Sequence, residues 1–156
     1  MTPAATRPDT CNCFALRKAA RHVSQLYDRC LAPVGLRVTQ FAILARLHRF
    51  GPRTVGELAA ELVTDRTTMG RNLRPLGREG LVAVGADPRD RRRRTLALTA
   101  AGTERLHAAQ AGWAEAQARF ERAYGGPEAA DLRRVLAGVI AADLAASAPR
   151  PTAPPT

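Results

Sequence analysis

The chain has 156 residues and a formal charge of +10, with 24 basic against 14 acidic side chains, and every basic residue but Lys18 is arginine. That length suits one domain with a real core, and that charge favours a polyanionic partner, nucleic acid or an anionic surface. No apolar run reaches 18 residues and the N-terminus carries no apolar signal core, which excludes a transmembrane helix and implies a cytoplasmic protein.

Residues 1–10 contain two prolines and read as a loose arm. A long helix is predicted from Cys11 to Leu31, with Phe14, Leu16, Ala20, Val23, Leu26, Tyr27 and Leu31 at helical spacing, stopped by Pro33 and Gly35. A second helix covers Thr39–Phe50 and ends at Gly51-Pro52. Thr54-Val55-Gly56-Glu57 is a capping box, in which hydroxyl and carboxylate each satisfy an orphan amide at a helix start. The short helix it opens runs to Leu62. Three residues later Asp65-Arg66-Thr67-Thr68 opens another, so the pair has the helix-turn-helix spacing. Pro75 falls where this second helix should still be running, which predicts a kink or a loosened last turn. Gly80 ends it. Two β-prone runs follow, Leu81–Val84 and Thr95–Leu98, separated by Asp87-Pro88-Arg89-Asp90 and Arg91 to Arg94.

Beyond the hairpin, residues 99–124 carry a stripe of Leu106, Ala109, Trp113, Ala116, Phe120 and Ala123. Gly125-Gly126-Pro127 breaks that helix, and a last one over residues 128–146 places Leu132, Leu136, Val139, Ile140 and Leu144 on one side. The Pro-rich tail, 147–156, reads as disordered. The fold class is mainly α with a small β-hairpin, and the long terminal helices have more apolar surface than a small central domain can cover. Residues 11–35 and 99–146 are therefore expected to pair with the same helices of a second copy, leaving 36–98 as a winged helix-turn-helix.

From Arg66 to Arg94 there are nine arginines against Glu79, Asp87 and Asp90. A helix followed by an arginine-tipped hairpin suits duplex DNA, and an aromatic content of 4% disfavours the stacking platforms of single-strand binders. In helix-turn-helix geometry the start of the second helix meets base edges in the major groove, which selects Arg66, Thr67, Thr68 and Arg71. An arginine there can pair bidentately with guanine, and a threonine methyl can pack on thymine. Arg74 and Arg78, further along, and Arg89, Arg91, Arg93 and Arg94 in the wing are expected on the DNA backbone. No Ser/His/Asp set, carboxylate pair or glycine-rich phosphate loop points to an enzyme, and the chain calls for no cofactor. A non-specific architectural DNA protein remains an alternative to a sequence-specific regulator.

Six pieces in register resemble the MarR family of bacterial transcription regulators: Thr39-Gln40-Phe41, Glu57-Leu58-Ala59, Asp65-Arg66-Thr67-Thr68, Glu79-Gly80-Leu81-Val82, Asp87-Pro88-Arg89-Asp90-Arg91-Arg92, and Leu98-Thr99 with Gly102. The resemblance spans residues 12–145. It implies a winged-helix homodimer on a palindromic duplex operator, acting as a repressor. It also assigns Arg92 to the minor groove and Asp90 to holding it, and narrow minor grooves concentrate the negative potential that suits such an arginine.

The opening helix is similar to that of the family's organic-hydroperoxide sensors, through Cys13-Phe14-Ala15-Leu16 and Tyr27. That likeness implies that Cys13 is the oxidised thiol and that Tyr27 of a partner subunit hydrogen-bonds to it, because along one helix the two lie about 21 Å apart. Arg17 and Val38 stand where that subgroup has its other tyrosines. Arg17, one turn on, places a positive charge beside the thiol. Cys11 is a candidate resolving thiol if the helix start frays, since residues two apart on a helix point to opposite sides. Cys30 lies about 26 Å along the same helix from Cys13, beyond the roughly 7 Å limit for a disulfide within one chain. Two other signals stay open. One is a phenolic or aromatic acid held by Arg17, Arg21, His22 or His48. The other is a thiophilic metal on Cys11, Cys13 and His22, although the spacing is not diagnostic.

Overall fold

The computed structural model describes residues 10–87, 90, 92–142 and 144. Six α-helices and one hairpin follow in order: α1 Asn12–Leu31, a 3-10 turn Ala32–Val34, α2 Val38–Phe50, α3 Val55–Glu61, α4 Arg66–Arg78, β1 Val82–Ala86, β2 Arg94–Leu98, α5 Ala100–Tyr124 and α6 Gly126–Ala141. The mainly helical class with an antiparallel hairpin is as expected. Residues 1–116 and 117–156 form two compact units. No single helix among the described residues is long and apolar enough to cross a membrane. The loose arm over 1–9 and the tail over 147–156 fall outside the described residues.

In the first unit one core joins α1 to α5 and the hairpin, built from Leu31, Leu36, Ile43, Leu44, Leu58, Met69, Leu76, Leu81, Leu96 and Leu106. Each leucine buried there contributes about 1.5–3 kcal/mol. The connections are tied by side chains. Asp28 on α1 accepts the Val38 N–H at 2.7 Å, satisfying an orphan amide at the start of α2. Thr99 accepts the Gly102 N–H at 3.0 Å, capping α5, and donates its hydroxyl to the Gly80 carbonyl at 2.6 Å. α1 and α5 meet closely at Gly112, where any Cβ would overlap the Cys30 carbonyl oxygen.

Several boundaries differ from expectation. The last helix stops at Ala141 rather than Ala146. β1 begins one residue later than predicted and runs to Ala86, and β2 begins at Arg94. The largest correction concerns Pro75. α4 runs unbroken through it to Arg78, and the Glu79 N–H bonds back to the Pro75 carbonyl at 3.0 Å. The last turn is closed rather than loosened. Gly80 adopts φ +67°, its N–H reaches the Gly77 carbonyl, and the Leu81 N–H reaches the Leu76 carbonyl at 2.9 Å. This double closure is the Schellman motif, and the burial of both Leu76 and Leu81 completes it. Proline removes one amide near the helix end, and those bonds with the core contact hold the turn together.

Candidate nucleic-acid interface

Helix α4 is divided cleanly. Met69, Leu73 and Leu76 are buried, while Arg66, Thr67, Arg71, Arg74 and Arg78 are exposed. Its start is held by Asp65, whose carboxylate accepts the Thr68 N–H at 2.8 Å and the Thr68 hydroxyl at 2.7 Å. Those bonds, the side-chain one first, hold the Asp65 carboxyl below its usual range. The four expected base readers therefore differ in availability. Thr67 and Arg71 stand clear. Thr68 is half-buried with its hydroxyl committed to the cap, which leaves its methyl. Arg66 leans toward α3, where a Cβ added to Gly56 would sit 3.2 Å from its guanidinium. A glycine at the first turn of α3 is what lets that side chain lie flush.

In the wing, Asp90 accepts the Arg92 backbone N–H at 2.9 Å, and the Arg93 N–H bonds to the Asp90 carbonyl. Asp90 thus holds the backbone from which Arg92 projects, and Arg92 itself is exposed. Arg94 is exposed as well. Arg93 is bound inside the chain: its guanidinium donates to Glu57 on α3 at 2.6 Å and lies 3.9 Å from Asp87. Glu57 also closes the capping box, accepting the Thr54 N–H at 2.7 Å while its own N–H donates to the Thr54 hydroxyl. The Thr54 bonds first, and Arg93 after them, bring the Glu57 carboxyl down to about 2. Pro88, Arg89 and Arg91 lie outside the described residues, and with them the contacts expected of those two arginines.

The base of the wing holds what sequence reasoning missed. Arg53 forms a bridge with Leu96, N–H to carbonyl at 3.0 Å and 2.7 Å, which adds a one-residue third strand to the hairpin. Its side chain pairs with Glu61 at 3.0 Å. The guanidiniums of Arg46, Arg49 and Arg53 lie 5.2–5.7 Å from the centre of the Phe50 ring, within cation–π range. A single bridging residue has no periodicity to read, although the capping box just after it did mark Glu57.

On α1, residues 11–22 are all exposed. Cys11 is the N-cap, with extended backbone (φ −80°, ψ 112°), so it stands outside the helix without any fraying. Cys13 and Tyr27 share the one unbroken helix; Tyr27 and Cys30 are half-buried. Among the described residues no three His, Cys, Asp or Glu side chains gather as a metal site, so Cys11, Cys13 and His22 do not form one. Arg17, Arg21, His22 and His48 are exposed, and His48 packs edge-on against His107 at 5.8 Å. None of the four lines the mainly apolar cavity of about 350 Å³ between α2 and the turn before α4, where Val38, Ala42, Ile43, Leu62, Val63 and Met69 meet. Val63 in that turn has φ +48°, a conformation costly for a β-branched residue.

The family model for the MarR family matches residues 34–93, from the end of the 3-10 turn into the wing. Over 92 residues the chain is 33% identical to the transcriptional activatory protein BadR of Rhodopseudomonas palustris; the match covers 57% of this chain and 53% of BadR, so it spans about half of that relative's length. The transcriptional regulator MosR of M. tuberculosis superposes with TM-score 0.74 at 38% identity, over 85% of this chain and 95% of MosR. The transcriptional repressor CouR, bound to a 23-mer DNA duplex, superposes with TM-score 0.75 at 28% identity, over 85% and 94%. An arginine-faced α4, a hairpin pinned beside it and these likenesses agree: the chain belongs to the MarR family of winged-helix, DNA-binding transcriptional regulators.

Proposed function

We propose that two copies of this chain bind an inverted-repeat operator and repress transcription until Cys13 is oxidised. The observation that carries the DNA reading is the exposed row Arg66, Thr67, Arg71, Arg74 and Arg78 on a helix whose other face is core. Thr67 and Arg71 read bases with Arg66 and the Thr68 methyl beside them; Arg74, Arg78 and Arg94, with Arg89 and Arg91, face the backbone; and Arg92 enters the minor groove. CouR, similar in fold, was captured on a 23-mer duplex. As to direction, BadR is named an activatory protein and CouR a repressor. Repression is the simpler output for a protein that leaves its operator when oxidised.

Dimerisation accounts for apolar side chains that the described chain leaves open: Phe14 on α1, and Val135, Val139 and Ile140 on α6, the last 67% exposed. Residues 11–35 and 99–146 would supply that interface, with 36–98 on the DNA. If a dimer neutralises roughly eight phosphates, log K falls against log salt with a slope near −7. An anisotropy titration giving a slope shallower than about −2 would refute this footing.

For sensing, an organic hydroperoxide oxidises the Cys13 thiol to a sulfenic acid and is reduced to the alcohol. The Cys11 thiol then condenses with it, forming the disulfide and releasing water. Cys11 as an extended N-cap, exposed like Cys13, supports that pairing. Arg17 and a partner's Tyr27 would assist. Hydroperoxide treatment should lower operator affinity in the parent and leave Cys13→Ser unaffected. Should Cys13→Ser respond like the parent, the thiol reading falls. The second reading then takes its place: a small aromatic ligand in the cavity beside Val63 and Met69, pressing on the start of α4.

A further inference from the structure

Pro75 apart, the residue of α4 least suited to its place is Gly70. Glycine is the poorest helix former after proline, yet Gly70 sits mid-helix and exposed. Some glycines of this chain answer to the fold: Gly80 adopts φ +67°, and a Cβ at Gly102 or Gly112 would overlap a backbone carbonyl, whereas Gly77, Gly85, Gly126 and Gly138 are as open as Gly70. Gly70 answers to none of these demands. It is absent from the positive-φ residues, and an added Cβ would meet nothing within 4 Å. Neither conformation nor packing within the chain calls for a missing side chain here.

Its neighbours suggest what does. Gly70 lies one turn after Arg66 and directly before Arg71, within the part of the helix that this fold inserts into the major groove. At about 100° per residue it shares the flank of Arg66, while Thr67 and Arg71 occupy the crest opposite the core. The crest of a helix lying in the groove faces base edges, and its flanks face the sugar–phosphate walls. We propose that Gly70 is a positioning residue, the point where the α4 backbone comes closest to one strand of the duplex. A Cβ there would hold the helix off that wall and withdraw Arg66 and Arg71 from the bases. The inference rests on α4 being the DNA-reading helix.

The test uses the full-length protein and a 24-base-pair duplex that the parent itself selects from a randomised pool. Gly70→Ala should melt higher than the parent by about 2–4 °C, because alanine is the better helix former. It should nevertheless bind that duplex at least about tenfold more weakly, and Gly70→Leu more weakly still, as overpacking requires. Gly77→Ala is the control. It is equally open but lies in the last turn, so it should gain stability and keep its affinity. A Gly70→Ala protein that binds within about threefold of the parent overturns the proposal, as does one that melts lower, since the glycine would then serve the fold. A parent that selects no duplex removes the DNA reading itself, a failure distinct from the other two.

Discussion

α4 and the opening of α1 carry the two halves of the proposed function, and they differ in how much each brings with it. α4 has its N-cap, its Schellman closure, its buried face and its arginine face within one chain, and Arg93 fixes the wing beside it. The first ten residues of α1 are exposed throughout, and its N-cap Cys11 makes no side-chain capping bond. A DNA-reading surface can be rigid before it meets its partner, and gains specificity by being so. A reactive thiol needs access, and the groups that tune it have to be brought to it. Here they would come from a second copy.

The largest effect tests whether the α4 surface is as complete as it looks. Arg71→Ala should weaken operator binding by about 1–3 kcal/mol, roughly 5–150-fold, and relax preference at one base pair per half-site. Unchanged specificity in a binding-site selection would move Arg71 to the backbone. Next comes the latch. Arg93→Met should cost several-fold in affinity by freeing the wing, while the salt slope stays put. Had Arg93 been a phosphate contact, each one lost would reduce the slope by about 0.9. The smallest effect is on stability alone. Val63→Gly relieves a positive φ worth about 1–3 kcal/mol, offset by roughly 0.5–1 kcal/mol of glycine entropy. Val63 is 69% exposed and forfeits little burial. A thermal melt should rise by about 2–4 °C, and a fall would mean that the side chain is needed at the cavity.

Much of this was legible before the structure. Capping chemistry is local, so Thr54, Glu57, Asp65 and Gly80 announced their helix ends from within a four-residue window. Periodicity found the buried Leu106, Ala109 and Ala116 of α5, but Trp113 and Ala123 of the same stripe are exposed. Non-local bonds were not legible: nothing near Arg93 says that its partner is Glu57, 36 residues earlier, and among a run of arginines it looked like the rest. Pro75 misled because its missing amide was weighed alone, without the Gly80 closure five residues on, whose bonds to Gly77 and Leu76 hold the last turn. Cys11 was placed inside the helix by a boundary one residue too early; it is the N-cap, with extended backbone. Arg92 and Asp90 were singled out by resemblance, and the bond between them runs to the Arg92 backbone rather than the guanidinium.

The bridge between Arg53 and Leu96 bears on how this protein could be re-engineered. A wing defined by sequence as residues 82–98 invites grafting as a cassette between relatives. In this chain such a cassette would leave part of its registration behind, because Leu96 exchanges both backbone hydrogen bonds with a residue upstream of α3 and α4. The transplantable unit runs from Gly51-Pro52 to Thr99 and carries both helices with it. Chimeras cut at residue 52 should keep the native wing angle whichever terminal helices they inherit, whereas those cut at residue 81 inherit a hairpin whose third strand comes from another protein.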